Sequence, residues 1–274
     1  MKADLHMHTN LSDGVFDPFE IIRKAKNNGV DIMSITDHDI CSNVEENLKF
    51  AKEIGIRYIP GIELSTNYLN KPVHVLGYFR DESYLNEEIV NYFVSIKEGR
   101  KKRAVTFIEN LKKYNDIEIT YDEVYAYSTG IVTRPHIAKA IMDNYPEYDI
   151  NDVFNDIIGD YSKAYVPSCE ISVQEGIDLL RRNNCVVVLA HPTLLKEDVK
   201  EYVHSLNYDG FEGVYFRNKD GDEEFYRNLA KKRNMIITAG GDFHGTKGDT
   251  IHAEIGDIFI EGEDLKNFLN KLED

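Results

Sequence analysis

Six of the nine histidines in this 274-residue chain sit in short segments, most of which also carry a carboxylate. They are Asp4-Leu5-His6-Met7-His8-Thr9 with Asp13 just beyond, Thr36-Asp37-His38-Asp39, His74, Ala190-His191-Pro192 and Gly241-Asp242-Phe243-His244, with Gly61-Ile62-Glu63 supplying a further acid. Side chains alternate along a strand with period two, so His6 and His8 share one face while Leu5 and Met7 take the other. Two imidazoles can then share a metal ion. A single His-x-His is as often a satisfied polar contact. Here every signature falls at or just beyond the C-terminal end of an expected strand, the rim where barrels and open α/β sheets build active sites.

Imidazole and carboxylate without thiolate suit Zn²⁺, Mn²⁺ or Fe²⁺ better than Ca²⁺ or Mg²⁺. The candidate ligands His6, His8, Asp13, His38, Glu63, His74, His191, Asp242 and His244 exceed the roughly four donors of one ion. Two or three divalent transition-metal ions, Mn, Zn or Fe, are expected, with water in open positions. Three ionised carboxylates around three divalent ions leave a charge of about +3 before any hydroxide, which favours a phosphate dianion.

The elements that must position these residues follow from periodicity. Short β-branched runs at 3–8, 30–36, 56–62, 73–79, 185–190, 212–217, 235–240 and 254–260 predict strands. Segments 18–28, 43–54, 173–183, 197–206, 222–233 and 263–272 predict helices, the first opened by Asp17, Pro18 and Glu20 as cap, first-turn proline and capping box, and closed by Gly29. Such alternation means a parallel sheet covered by helices, as a doubly wound sheet or a (β/α) barrel. Residues 88–165 break the rhythm and read as a helical insertion. It contains the basic run Gly99-Arg100-Lys101-Lys102-Arg103, either a solvated helix face or a lure for an anionic substrate.

Composition narrows the partners. With 32 Lys+Arg against 48 Asp+Glu the chain carries a formal charge of -16, which argues against the broad basic face that holds duplex DNA. Cys41, Cys169 and Cys185 are too few and scattered for a disulfide framework, and no apolar run is long enough to span a membrane. With no signal peptide ahead of Lys2-Ala3-Asp4, a cytoplasmic location is expected.

The opening Asp-Leu-His-x-His, the Thr-Asp-His-Asp, the Gly-x-Glu, the His-Pro and the Asp-x-His stand in the order and context of the PHP (polymerase and histidinol phosphatase) superfamily, which the chain resembles from residue 4 to about 245. The resemblance implies a distorted (β/α)7-type barrel from residues 1–87 and 166–274, with 88–165 as an inserted small helical domain capping the substrate. It also implies a phosphoesterase that uses a metal-activated hydroxide. The most similar subfamily hydrolyses small nucleotides such as AMP and nucleoside 3',5'-bisphosphates, and some members are 5'-to-3' exoribonucleases on short 5'-phosphorylated RNA. Carried over, it implies one ion on His6, His8, Glu63 and Asp242, a second on Glu63, His74 and His191, and a third on Asp13, His38 and His244, with Glu63 as a bridge.

Thr133-Arg134-Pro135-His136 is similar to the subfamily's Arg-Pro-His segment, which implies that Arg134 and His136 reach the substrate phosphate, with His136 or water protonating the leaving oxygen. A planar guanidinium suits this role because it binds two phosphate oxygens at once. Lys163-Ala164-Tyr165-Val166-Pro167 resembles the return to the barrel. Asp37, counted with Arg134 and His136 as serving the reaction, is expected with Asp4 and Asp39 to accept imidazole N–H bonds, although Asp39 is equally suited to cap a helix. Gly240-Gly241-Asp242 departs from the usual Gly-Ser-Asp, Val214-Tyr215-Phe216-Arg217-Asn218 replaces a segment that often holds a histidine, and His204 and His252 are expected to be surface or structural. The rival readings are an exoribonuclease, a histidinol-phosphate-type phosphatase, an amidohydrolase, which also opens with His-x-His, and a non-catalytic metal-binding domain.

Overall fold

A computed structural model of the chain describes residues 1–128, 132–159, 161–166 and 171–274. Cys169 and Pro167 lie outside the described residues. The strands are β1 (Ala3–Asp4), β2 (Ile32–Met33), β3 (Arg57–Tyr58), β4 (Gly61–Tyr68), β5 (Lys71–Phe79), β6 (Cys185–Leu189), β7 (Gly210–Tyr215) and β8 (Ile236–Gly240). The helices are α1 (Pro18–Asn27), α2 (Val44–Ile54), α3 (Glu87–Asn115), α4 (Tyr121–Tyr125), α5 (Arg134–Asn144), α6 (Ile150–Asp152), α7 (Val173–Arg182), α8 (Glu197–Ser205), α9 (Asp222–Arg233) and α10 (Gly262–Glu273). Local signals set the helix ends. Asp17 and Glu20 close a reciprocal capping box on α1, which buries Ile21, Ile22 and Ala25, and Ser172 with Glu175 does the same for α7.

Strands β1, β2 and β3 form a parallel three-stranded sheet, and β4 to β8 form a second sheet in sequence order. In the second, β6, β7 and β8 run parallel, but β5 is antiparallel to both of its neighbours. The uniform parallel alternation expected from the sequence is interrupted by this β4–β5 hairpin. Its two-residue turn, Leu69-Asn70, has φ of 52° and 60°, a primed-turn geometry that usually advertises itself with glycine. Leucine there conceals the turn. The strand expected at 254–260 is absent too: Gly256, at φ 85°, turns the chain, and Ile260 alone makes a bridge to Ala3.

Single bridges, Met7 to Phe243 and His38 to Glu63, join the two sheets. Backbone bonds from Asp242 N–H to His6 O (3.0 Å) and from Asp39 N–H to Glu63 O (3.0 Å) extend these seams, so the C-terminal ends of β1, β2 and β8 meet the start of β4 at one rim. Both sheet faces are covered. Along β5 and β6, Val73, Val75, Phe79, Val187 and Leu189 pack in one apolar cluster while Leu76, Tyr78, Val186 and Val188 pack in the other. That period-two division is what a sheet buried on both sides requires.

Between residues 88 and 165 no strand occurs among the described residues. Phe107, Leu111, Val124, Ile137, Ile141 and Ile158 centre a separate apolar cluster there, whereas Ile89, at the start of α3, still packs on the main core. No helix among the described residues is long and apolar enough to cross a membrane.

Candidate metal centre

The C-terminal ends of β1, β2, β6 and β8 converge on one carboxylate, but Glu63 lies at the start of β4 and His74 within the antiparallel β5, so these two do not sit at the C-terminal strand ends where the sequence put them. Glu63 Oε2 lies 3.2 Å from His6 Nε2, 3.1 Å from His8 Nε2 and 3.2 Å from His38 Nδ1. Its Oε1 lies 2.9 Å from both His74 Nδ1 and His191 Nε2. Across from it, Asp242 Oδ1 is 3.3 Å from His6 Nε2 and 3.0 Å from His8 Nε2. Asp13 Oδ1 is 3.3 Å from His244 Nε2 and 3.7 Å from His8 Nδ1, and its Oδ2 is 3.7 Å from His38 Nε2. All nine residues expected from the sequence are therefore gathered in one place.

Two observations fit this cluster to divalent cations. Donors about 2.0 Å from a tetrahedral ion are about 3.3 Å apart; the contacts among His6, His8, Glu63 and Asp242, at 3.0–3.3 Å, are at or just inside that spacing, so the four donors close on one point. In addition, His8 Nδ1, Asp13 Oδ1, His38 Nδ1, Glu63 Oε2 and Asp242 Oδ1 are buried with no hydrogen-bond partner among the described residues, which costs free energy that a cation would offset. Grouped by proximity, His6, His8, Glu63 and Asp242 form one set, His8, Asp13, His38 and His244 a second, and His38, Glu63 and His74 a third.

Burial disfavours charge on every group here, but pairing mostly prevails. Against burial, Glu212, Glu63 and Asp242 hold the His6 imidazole well above its ordinary value, and Asp242 and Glu63 push His8 up to about 10. Glu63 stays well below the usual carboxylate range despite burial because His38, His6 and His74 surround it. For His38 burial wins over the pull of Glu63 and Asp13 and pushes it down to about 3. A ligating imidazole must give up its extra proton, so metal binding at His6 and His8 would be coupled to proton release. The backbone is also strained here: Asp39, His191 and Asp242 have φ of 54°, 25° and 53°.

The acids expected to hold imidazoles do other work. Asp37 accepts from Thr9 N–H (2.7 Å), the Thr9 hydroxyl (2.7 Å) and the Ser12 hydroxyl (2.6 Å), bracing the loop that carries Asp13. Asp4 accepts from Gly256 N–H, and Asp39 accepts from Ser65 N–H and pairs with Arg100. The imidazole acceptor is Glu212: it takes the His6 Nδ1–H at 2.8 Å and the backbone N–H of His191 at 2.7 Å. Sequence reasoning missed it, although an acid inside the apolar run of β7 was a usable signal. Tyr215 and His252 were missed as well; the Tyr215 hydroxyl donates to Asp242 Oδ2 at 3.1 Å, and His252 stacks on His244 with ring centroids 4.3 Å apart.

Beside the cluster, Arg134 and Pro135 at the start of α5 line a cavity of about 210 Å³ together with Asp13, His38, His74, Arg100 and Arg103. The basic run divides by helical spacing, with Arg100 and Arg103 turned to this cavity and Lys101 and Lys102 exposed. His136 is buried beneath the turn, its Nδ1 accepting from Thr133 N–H at 3.1 Å.

Comparison with known proteins agrees with this geometry. The PHP domain family matches residues 4–272. The chain is 28% identical to a 5'-3' exoribonuclease of Haemophilus influenzae, covering 89% of this chain and 90% of that one. It is 24% identical to a 3',5'-nucleoside bisphosphate phosphatase of Chromobacterium violaceum over 89% of this chain and 87% of that one. Among solved structures, a Bifidobacterium adolescentis protein assigned as a metal-dependent phosphoesterase superposes with a TM-score of 0.85 at 27% identity, covering 98% and 96% of the two chains. A buried rim of imidazoles and carboxylates that face one another, and this likeness along nearly the whole chain, lead to one conclusion: the chain belongs to the PHP domain family and is a metal-dependent hydrolase of phosphoester bonds.

Proposed function

We propose that the chain hydrolyses phosphomonoesters of small nucleotides, of the AMP or nucleoside 3',5'-bisphosphate type, in the cytoplasm. The observation that carries this reading is a pair of cavities of about 210 and 340 Å³ over the donor cluster, which share Asp13, His38, His74 and Pro135. The larger is of the size of a small ligand's site, and the smaller adjoins it. The smaller sets the guanidinium groups of Arg100, Arg103 and Arg134 opposite the cluster, and Tyr165 on the same wall offers an aromatic surface for a base.

In this reading His6, His8, Glu63 and Asp242 hold one ion, Glu63, His74 and His191 a second, and Asp13, His38 and His244 a third, drawn from Mn, Zn or Fe. Bound ions supply Lewis acidity, acidifying water near neutral pH and drawing charge from phosphoryl oxygens. Arg134 binds two of the phosphate's oxygens and stabilises the charge that grows on them in the transition state. His136 lines neither cavity, but with Nδ1 accepting from Thr133 N–H the neutral ring carries its proton on Nε2, the donor we assign to the leaving oxygen. Residues 88–165 form the cap and 1–87 with 166–274 the distorted (β/α)7-type barrel beneath it.

The exoribonuclease relative at 28% identity favours a second reading, removal of nucleotides from short 5'-phosphorylated RNA. One panel separates them: Mn²⁺-loaded protein assayed with AMP, a nucleoside 3',5'-bisphosphate, a 5'-phosphorylated oligoribonucleotide, a phosphodiester and histidinol phosphate. We expect the nucleotide monoesters to be cleaved fastest. Faster cleavage of RNA moves the assignment to the second reading, and faster cleavage of histidinol phosphate overturns both.

A further inference from the structure

We propose that His252 is a further donor of the metal centre, oriented by Asp249 and closing the side of the cluster formed by Asp242 and His244. The inference rests on the reading of the cluster as a metal site. It goes beyond the ligand set that the family resemblance supplies, in which His252 has no counterpart.

His252 lies in the segment between β8 and α10, and the structure fixes its ring from one side. Its Nδ1 is 2.7 Å from Asp249 Oδ2, while Asp249 Oδ1 accepts the backbone N–H groups of Ile251 (2.8 Å) and His252 (3.2 Å). A carboxylate tied into its own turn cannot follow the ring, so the ring is held to the carboxylate. That bond places the proton on Nδ1 and leaves Nε2 with a lone pair. Nε2 faces Asp242 Oδ2 at 3.8 Å, too far for a hydrogen bond. In the neutral ring both facing atoms are acceptors, 3.8 Å apart, and a cation held between them would satisfy both.

The surroundings argue against a role confined to packing. His252 lines the larger cavity with Asp13, Glu63, His191, Asp242 and His244, and its donor falls within ligating distance of those of Asp242 and His244. The ring also stacks on His244 at an interplanar angle of 27°. The chain repeats here the device that it uses at His6, where Glu212 takes the Nδ1–H and leaves Nε2 to face the cluster. A carboxylate behind an imidazole fixes the tautomer and raises its basicity as a ligand. A histidine that only closed a loop would have no need to aim its free nitrogen at a buried carboxylate of the cluster.

The test is metal titration of the full-length chain, stripped with a chelator and refilled with Mn²⁺ in a calorimeter. Wild type is compared with His252→Ala and Asp249→Asn, and Co²⁺-loaded samples are compared by visible absorption. We expect His252→Ala to weaken one ion by about 100-fold or to lose it, and Asp249→Asn to weaken the same ion by about 10–100-fold, with a changed Co²⁺ spectrum in both. The remaining ions should keep their affinities. Coincident isotherms and spectra for all three proteins overturn the inference and leave the metal reading of the cluster intact. Loss of every ion in His252→Ala with none weakened in Asp249→Asn also overturns it, because the residue then acts through the loop. Absence of tight binding in wild type overturns both readings.

Discussion

Glu63 touches five imidazoles through its two oxygens, three on Oε2 and two on Oε1. Glu63→Gln exchanges one ligating oxygen for an amide N–H donor facing histidines. We expect that variant to lose at least one ion and nearly all turnover. Asp37→Asn, which loosens the Thr9–Ser12 brace behind Asp13 without touching the shared carboxylate, should cost about 10–100-fold in affinity or activity. Elemental analysis and turnover of both variants decide the point, and equal losses would contradict the proposed bridge. The same scale shows why the residue types were legible while their partners were not. A His-x-His announces a possible ligand pair, but the acceptor that orients His6 stands 206 residues away.

Among the elements, the seam between β1 and β8 depends on a glycine without a side chain. A Cβ on Gly240 would lie 2.1 Å from His6 Cβ and 2.8 Å from His6 N, so alanine there must push aside the segment after β1 that carries His6. Gly240→Ala should destabilise the fold by about 1–3 kcal/mol and reduce metal content. A Cβ on Gly241 meets Ala253 Cβ at 3.2 Å, a contact that a small shift relieves, so Gly241→Ala should lie much closer to wild type in a thermal melt with parallel metal analysis. His204 on α8 makes a different element-level prediction. Its ring sits among Phe211, Phe225 and Tyr226, and burial, with Lys200 and Arg233 nearby, pushes it down to about 4. The unfolded chain takes up this proton below about pH 6.5 and the folded chain only near 4, so the stability it contributes is present above 6.5 and is lost as pH falls through that window. His204→Leu should therefore lose less stability than wild type between pH 7 and 5 in urea unfolding. A steeper loss in the variant would refute the assignment.

At the scale of the whole molecule, the apolar clusters and the donor cluster are separate sets of residues. Folding free energy comes mainly from the former, as expected of a chain long enough to bury about three quarters of its extended surface. Chelation should abolish activity yet leave the far-ultraviolet circular dichroism spectrum nearly unchanged, with a lower melting temperature through loss of ligand linkage. Protein purified without chelator should carry two to three transition-metal ions per chain, and a single ion would sink the three-ion arrangement. The overall charge of -16 confines attraction for an anion to the guanidinium groups and cations of the cavity, which is how an acidic protein can still take a phosphorylated substrate.

By itself the sequence determined which side chains can ligate, their order, and the helices that carry local signals, because donor type, capping boxes and period-two or helical spacing are properties of neighbouring residues. Only the tertiary structure decided what each of those groups meets. The β4–β5 hairpin turns on Leu69-Asn70: asparagine favours a positive φ, but leucine does not, and its φ of 52° is imposed by the strand pairing on either side. Arg100 reached the cavity because Asp39 and Ser65, far away in the chain, hold its guanidinium there. Glu212 replaced Asp4, Asp37 and Asp39 as the acceptor behind an imidazole because strand order set β7 beside β8, and β8 beside His6. Pairings of this kind are fixed by which strands become neighbours, a long-range outcome of burying two sheet faces at once that no local window of residues contains.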